Sequence, residues 1–117
     1  MISLTESYTP LSLATRVGGA LGGAYLGSQF SPYKGFHYGL VNGANLGDFA
    51  ADLIDKRNPA YAARDLAYKT ATGNAITGYL TNKGSRYAGA AGAIVPDLSV
   101  PFVFGPDPVE ANKNKKK

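Results

Sequence analysis

Residues whose types and spacing suit catalysis are scarce in this chain of 117 residues. There is no cysteine, which excludes thiol nucleophiles, disulfides and zinc-thiolate sites together. The single histidine, His37, has no carboxylate near it in the sequence, so we expect an exposed or interfacial histidine. No serine stands in a Gly-x-Ser-x-Gly elbow, and Gly18-Gly19 is not followed by the Gly-Lys-Ser/Thr of a phosphate loop. We therefore predict no enzyme, no cofactor and no metal site.

Three aspartates offer a further possibility. Asp48, Asp52 and Asp55 fall on one side of a predicted helix, and neighbouring carboxylates can share protons or bind a divalent cation. Lys56 follows Asp52 by four residues, a spacing that lets the two side chains pair on a helix. We favour a solvated acidic face over a cation site.

The helices that must carry these side chains are marked by proline. Thr9-Pro10, Ser31-Pro32 and Asn58-Pro59 each read as a capping residue followed by the first helical position. They predict helices at about 10–29, 32–55 and 59–82. A shorter fourth helix, 85–94, would end before Pro96. The fold class is all-α, with three to four close-packed helices (a helical hairpin plus a third helix) in a domain of residues 1–97. Residues 98–117 form an extended apolar arm and a lysine-rich tail.

Small residues recur at every fourth position in these helices, which places each row on one helix side. Such rows allow two backbones to approach more closely than the usual 8–10 Å between helix axes. The predicted helix-packing residues are Gly19, Gly23, Gly27, Gly35, Gly39, Gly43, Gly47, Ala63, Ala67 and Ala71.

The two glycine rows, over roughly residues 17–51, resemble the glycine zippers of membrane helical hairpins. Such hairpins occur in bacterial envelope proteins, mitochondrial inner-membrane proteins and capsid-lining proteins of membrane-containing viruses. The resemblance implies close helix packing and membrane contact, and it indicates no specific family.

Hydropathy argues against a simple membrane-spanning helix. The uncharged stretch from Val17 to Phe30 has only fourteen residues, whereas a spanning helix needs ~20. The second helix is amphipathic, with its polar side opposite the glycine row. Two arrangements remain open. A hairpin dips into or lies on a membrane with its polar side covered by protein, or a glycine-packed layer belongs to a larger soluble assembly. We slightly favour the first.

The N-terminal residues lack the features of a signal or transit peptide.

The C-terminal region adds two possible contacts. Phe102 and Phe104 belong to the predicted arm, which either folds back onto its own helices or inserts into a neighbouring subunit. We favour the neighbour, and we expect the two phenylalanines to contact a partner or a membrane. Residues 1–112 carry eight Lys/Arg and eight Asp/Glu, so the net charge of +4 lies on the tail. A solvated end is the favoured interpretation, with contact to lipid phosphates or nucleic acid and a dilysine retrieval signal as alternatives. The tail lysines are Lys113, Lys115, Lys116 and Lys117.

These features predict a non-catalytic structural subunit of a larger membrane-associated assembly, such as a virion with an internal membrane or an organellar or bacterial membrane complex. Its partners would be protein subunits, possibly other copies of itself, and membrane lipid. A pore-forming or permeabilising protein and a soluble helical scaffold or adaptor are the alternatives. Outside the tail, the eight basic residues are balanced by eight acidic ones, so no basic patch accompanies the tyrosines, which argues against nucleic acid as a partner.

Overall fold

The computed structural model describes residues 9–105, and over that range the chain forms four α-helices. They are α1 (Pro10–Phe30), α2 (Lys34–Ile54), α3 (Pro59–Asn82) and α4 (Ala88–Val103). No strand occurs between residues 9 and 105. The all-α prediction is confirmed.

Helix capping explains where α1 and α3 begin. Thr9 and Ser12 form a reciprocal capping box at the start of α1, and the Asn58 side chain accepts a hydrogen bond from the Ala60 amide at 2.9 Å. The predicted cap at Ser31-Pro32 is wrong, because Ser31 instead ends α1 by donating its amide to Gly27 O at 3.2 Å. Helix α2 therefore begins two residues later than predicted, at Lys34.

The end of α4 also differs from the prediction. The helix passes through Pro96 and Pro101, so the extended arm predicted from residue 98 is wrong for residues 98–103. Proline disfavours a helix interior because it lacks an amide hydrogen and its ring crowds the carbonyl four residues earlier. For Pro96 that carbonyl belongs to Gly92 and lies against Gly73 of α3, while Pro96 itself is fully buried. Tertiary packing thus outweighs local preference. Residues 106–117 lie outside the described range.

The helices are arranged as an antiparallel hairpin with a second antiparallel pair beside it. Among the described helices, α1 packs against α2, α2 also packs against α3 and α4, and α3 packs against α4. The pair α3–α4 therefore covers the side of α2 that faces away from α1. The α1–α2 and α3–α4 connections consequently lie at the same end of the bundle.

Candidate functional site

The two glycine rows meet each other in the contact between α1 and α2. A Cβ atom added at Gly19 would lie 2.6 Å from Gly43 O and 2.8 Å from the Gly47 Cα, distances that real Cβ atoms essentially never show. The same backbone contact recurs along the hairpin, and every predicted glycine takes part: Gly19, Gly23, Gly27, Gly35, Gly39, Gly43 and Gly47. Because the rows occupy each other, they are not available as contacts to a neighbouring molecule.

The alanine row of α3 is placed differently. Ala63, Ala67 and Ala71 are exposed and line one wall of an open groove of about 530 Å³ between α2 and α3. They are not buried against another helix within residues 9–105, and their part in helix packing stays a prediction. The side of α3 that is buried carries Asp65 and Lys69, because their charged partners lie on the neighbouring segments.

Arg16 of α1 lies at one edge of a buried network of charged side chains. It is 3% exposed and donates to Asp48 Oδ1 at 3.3 Å and to Asp52 Oδ1 at 3.0 Å. Both acceptors are on α2 and are also buried. Arg16 therefore adds a charged contact to the glycine contact that joins α1 to α2.

Lys69 of α3 lies at the centre of the network. Its Nζ atom donates to Asp48 Oδ2 at 2.9 Å and to Asp97 Oδ1 of α4 at 3.3 Å. Asp48 is thus shared between Arg16 and Lys69, and Lys69 is shared between α2 and α4. The chain of contacts Arg16–Asp48–Lys69–Asp97 crosses all four helices.

The loop between α2 and α3 extends this network. Arg57 Nη1 lies 2.9 Å from Asp52 Oδ2 and 2.6 Å from Asp65 Oδ2, and Arg57 is only 9% exposed. Arg64 Nη2 contacts the other oxygen of Asp65 at 3.0 Å. Burial of a charge is costly unless it is paired, and here several carboxylates bind two cations each.

The electrostatics of Asp48 and Lys69 follow from this pairing. Burial by itself would raise the pKa of Asp48, but that pKa lies below its ordinary value, and the charge of Lys69 is the largest of the contributions that lower it. Burial would lower the pKa of Lys69, whereas Asp48 and Asp97 raise it above its ordinary value. Both side chains are therefore charged across the neutral pH range.

The solvated acidic face predicted for α2 is consequently wrong for two of its three members. Asp48 is 1% and Asp52 is 5% exposed, and Asp55, which is exposed, lies at the helix end. Asp52 pairs with Arg16 and Arg57 and not with Lys56 as predicted. The chain turns at Lys56, which has a positive φ of 63°, so Lys56 does not continue the helix that carries Asp52. No group of three His, Asp or Glu side chains suitable for a metal ion occurs among residues 9–105.

His37 is buried at the contact between α2 and α4. Its Nδ1 atom accepts the Gly89 amide at 2.9 Å, and the rings of Tyr33 and Phe36 pack edge-on against it. Of the two expectations, an exposed or an interfacial histidine, the exposed one is wrong. Since Nδ1 is an acceptor, the neutral ring carries its hydrogen on Nε2, and burial lowers the pKa of His37 below 6.5.

The two predicted contact phenylalanines differ in their surroundings. Phe102 is 88% exposed, whereas Phe104 packs edge-on against Tyr68 and lies below the Arg64 guanidinium, 4.3 Å from the ring centroid. Phe104 thus belongs partly to the bundle itself. The predicted tail contacts, Lys113, Lys115, Lys116 and Lys117, lie outside the described residues.

The interior and exterior of the bundle have the reverse of the usual composition. The buried apolar side chains comprise Val41 and seven alanines: Ala20, Ala24, Ala44, Ala51, Ala62, Ala88 and Ala93. Large apolar side chains are exposed, among them Leu11, Leu21, Leu26, Phe30, Leu46, Val95 and Phe102. Twelve polar or charged residues between 9 and 105 are buried. A soluble protein normally buries its large apolar side chains and exposes its charges.

Sequence reasoning missed the ionic network. The available signal was that Arg16 is the single charged residue of α1, which is unusual unless such a residue has an internal partner. Lys69 gave no such signal, because Asp65 stands four residues before it on α3 and suggests a pair within the helix. The partners of Arg16 and Lys69 are 32 and 21 residues away in the sequence, at Asp48 in both cases. Spacing within one helix could not connect them.

The arrangement defines a class rather than a reaction, namely an all-α four-helix bundle with a charged interior and an apolar exterior. No protein-family model, no curated protein and no solved structure matches the chain. Within residues 9–105, no helix combines the length and the mean hydropathy required to cross a membrane.

Proposed function

We propose that this chain is a non-catalytic structural subunit of a larger membrane-associated assembly, such as a virion with an internal membrane or an organellar or bacterial membrane complex. The observation that carries the proposal is the inverted distribution of side chains. Leu21 is 65% exposed while Asp48 is 1% exposed. Lipid and neighbouring apolar subunits are surroundings in which such an exterior is favourable.

Energetics supports surroundings other than water. A fully exposed leucine or phenylalanine forgoes about 1.5–3 kcal/mol of burial, and this exterior carries many of them. In apolar surroundings, charged side chains turn to the interior of a bundle and pair there, as Arg16, Asp48 and Lys69 do. One environment thus accounts for both halves of the distribution.

The position of the exposed charges supports the same proposal. Every charged residue within the helices is buried, apart from Lys34 at the first position of α2 and the half-buried Arg64. The other exposed charges among residues 9–105 lie in connections, at Asp55, Lys56, Lys83 and Arg86. The exposed apolar side chains between the two polar ends, among them Leu21, Leu26, Leu46 and Val95, therefore form an apolar belt.

Helix length is compatible with a bilayer. Helices α1 and α2 have 21 residues each, or about 31 Å, close to the ~30 Å thickness of the hydrocarbon core. Mean hydropathy averages all sides of a helix, whereas lipid contacts only the outer side of a bundle. The inward polar residues of α2 therefore lower its mean hydropathy without reaching lipid.

The glycine contact has a defined part in this proposal. Glycines in a helix each cost about 1 kcal/mol relative to alanine in water. In a bilayer, an unpaired backbone group is so unfavourable that coil does not compete with helix. Close backbone contact between α1 and α2 then stabilises a thin, stiff hairpin that presents leucines outward.

A pore-forming role would require the polar side of α2 to line water. In the described bundle that side faces α3 and α4, where Asn42 pairs with Asn74 and Asp48 pairs with Lys69. This packing favours the structural role over the pore.

Fractionation tests the proposal. After expression in bacteria, the chain should stay with the membrane fraction through a carbonate wash and cause no dye leakage when reconstituted into liposomes. Leakage at low protein-to-lipid ratios would favour the pore instead. A folded monomer in detergent-free buffer would contradict both and leave the soluble scaffold or adaptor.

A further inference from the structure

One end of the bundle carries only positive charge among the described residues. Lys34 lies just after the α1–α2 connection, while Lys83 and Arg86 lie at the α3–α4 connection, and all three are exposed. Tyr33 Oη donates to Ser85 O at 2.6 Å, which joins the two connections. We refer to Lys34, Lys83 and Arg86 as the cationic end.

No described carboxylate lies near the cationic end. The residues between 9 and 105 include five aspartates, and all lie toward the opposite end. On α4, Asp97 is nine residues after Ala88, or about 14 Å along the helix. The remaining five Lys/Arg of this range are matched by the five Asp, so its net charge of +3 lies at the cationic end.

Exposed aromatic residues border this end. Tyr79 and Tyr87 are 63% and 66% exposed, and Phe30 is 92% exposed. The Lys83 ammonium lies 5.6 Å from the centroid of the Tyr79 ring. Tyrosine has an apolar body and a polar tip, and it is enriched where hydrocarbon meets headgroups. Toward this end of the bundle, the apolar belt is thus followed by the aromatic border and then by the three cations.

We propose that the cationic end binds the headgroups of anionic phospholipids. This inference rests on the proposed function, because it requires the apolar belt to lie in lipid. The three cations lack a described counter-charge, and a lipid phosphate at headgroup level supplies one next to the aromatic border. A free anion in water would engage the cations but leave the adjoining Phe30 and Tyr79 surface uncovered. Each cation near an anionic surface increases association by about fivefold.

Spin-labelled lipids provide the test. The full chain is reconstituted into phosphatidylcholine vesicles that contain a trace of spin-labelled phosphatidylglycerol or spin-labelled phosphatidylcholine. Electron paramagnetic resonance then measures the fraction of each lipid whose motion is restricted by the protein. We expect an excess of restricted phosphatidylglycerol that decreases as salt is raised, because salt screens exposed charges.

Three variants locate the effect. The triple variant Lys34→Gln, Lys83→Gln and Arg86→Gln should lose most of the preference for phosphatidylglycerol, several-fold at least. Lys56→Gln, at the opposite end, should keep it. A variant with glutamine at Lys113, Lys115, Lys116 and Lys117 measures the contribution of the tail. Circular dichroism confirms that each variant is folded.

The outcomes separate this inference from the proposed function. A preference that persists in the triple variant, or that disappears with the tail lysines alone, overturns the inference and leaves the proposed function intact. Restricted lipid without any preference does the same. The absence of any restricted lipid contradicts the proposed function, and the inference falls with it.

Discussion

At the scale of single residues, the structure depends on charged side chains that are paired where water is excluded. The attraction within a buried ion pair roughly balances the cost of taking its members out of water. Loss of one member is different, because the charge that remains is then buried with one partner fewer. Loss of Lys69 would remove the ammonium that Asp48 and Asp97 share, while Asp48 would keep its contact with Arg16.

Lys69→Met should destabilise the bundle strongly. The methionine fills similar space but leaves two buried carboxylates without the ammonium, at a cost of about 3–5 kcal/mol. The free energy of unfolding in detergent micelles measures this change. Lys56→Met serves as the matched control, since Lys56 is exposed and surface substitutions usually change stability by less than about 0.5 kcal/mol. Equal effects of the two substitutions would contradict the network described above.

His37 should make stability depend on pH in the weakly acidic range. Its pKa is lowered in the folded state, so its contribution is present above pH 6.5 and is lost as the pH falls toward the folded pKa. Protonation also removes the Nδ1 acceptor from the Gly89 amide. A pH titration of the unfolding free energy should therefore decrease below pH 6.5.

The matched variant for this titration is His37→Phe. It lacks the titrating ring, and His37 is the chain's single histidine, so the decrease just below pH 6.5 should vanish in the variant. A decrease of the same size in the variant would assign the effect to other groups.

At the scale of elements, the α1–α2 hairpin depends on which side of α1 a glycine occupies. Gly23 and Gly22 are adjacent in the sequence but differ in their surroundings. A Cβ at Gly23 would overlap the Gly39 carbonyl oxygen and lie 2.8 Å from the Gly43 Cα, whereas a Cβ at Gly22 would have no neighbour within 4 Å.

Gly23→Ala should therefore destabilise the bundle, while Gly22→Ala should not. Backbone atoms cannot move aside as side-chain ends can, so we expect a loss of at least about 1–3 kcal/mol at Gly23. At Gly22, the better helix propensity of alanine adds up to about 1 kcal/mol of stability. Thermal unfolding of the two variants in the same micelles gives the comparison. Similar melting temperatures would contradict the close backbone contact.

Local signals in the sequence specify part of these elements. The caps at Thr9 and Asn58 predict the starts of α1 and α3, because a side-chain acceptor followed by proline acts within one turn. The extent of α4 is not predictable in that way. Its passage through Pro96 depends on the contact with α3, which no local pattern contains.

The orientation of α2 shows a second limit of sequence reasoning. Its amphipathic pattern correctly separates a polar side from an apolar side, but the pattern is the same whichever side faces inward. Here Asp48 and Asn45 face the interior and Leu46 faces outward. Only the pairing partners Arg16 and Lys69, both far away in the sequence, decide the orientation.

At the scale of the whole molecule, the proposed function depends on what surrounds the apolar belt. The exposed leucines lie on α1, α2 and α4, so a small contact patch does not cover them. Under the proposed function, lipid around the bundle, together with neighbouring apolar subunits, would cover all of these faces at once. A single soluble partner would have to enclose most of the bundle.

The most direct test uses single cysteines, which the chain naturally lacks. Leu21→Cys and Leu46→Cys place a spin label on the belt at positions 65% and 60% exposed, and Lys83→Cys places one at the cationic end. In reconstituted vesicles, we expect apolar oxygen to reach the two belt labels more readily than a water-soluble nickel complex does. The order should be reversed at residue 83. Belt labels that the nickel complex reaches freely, or that neither reagent reaches, would contradict contact with lipid.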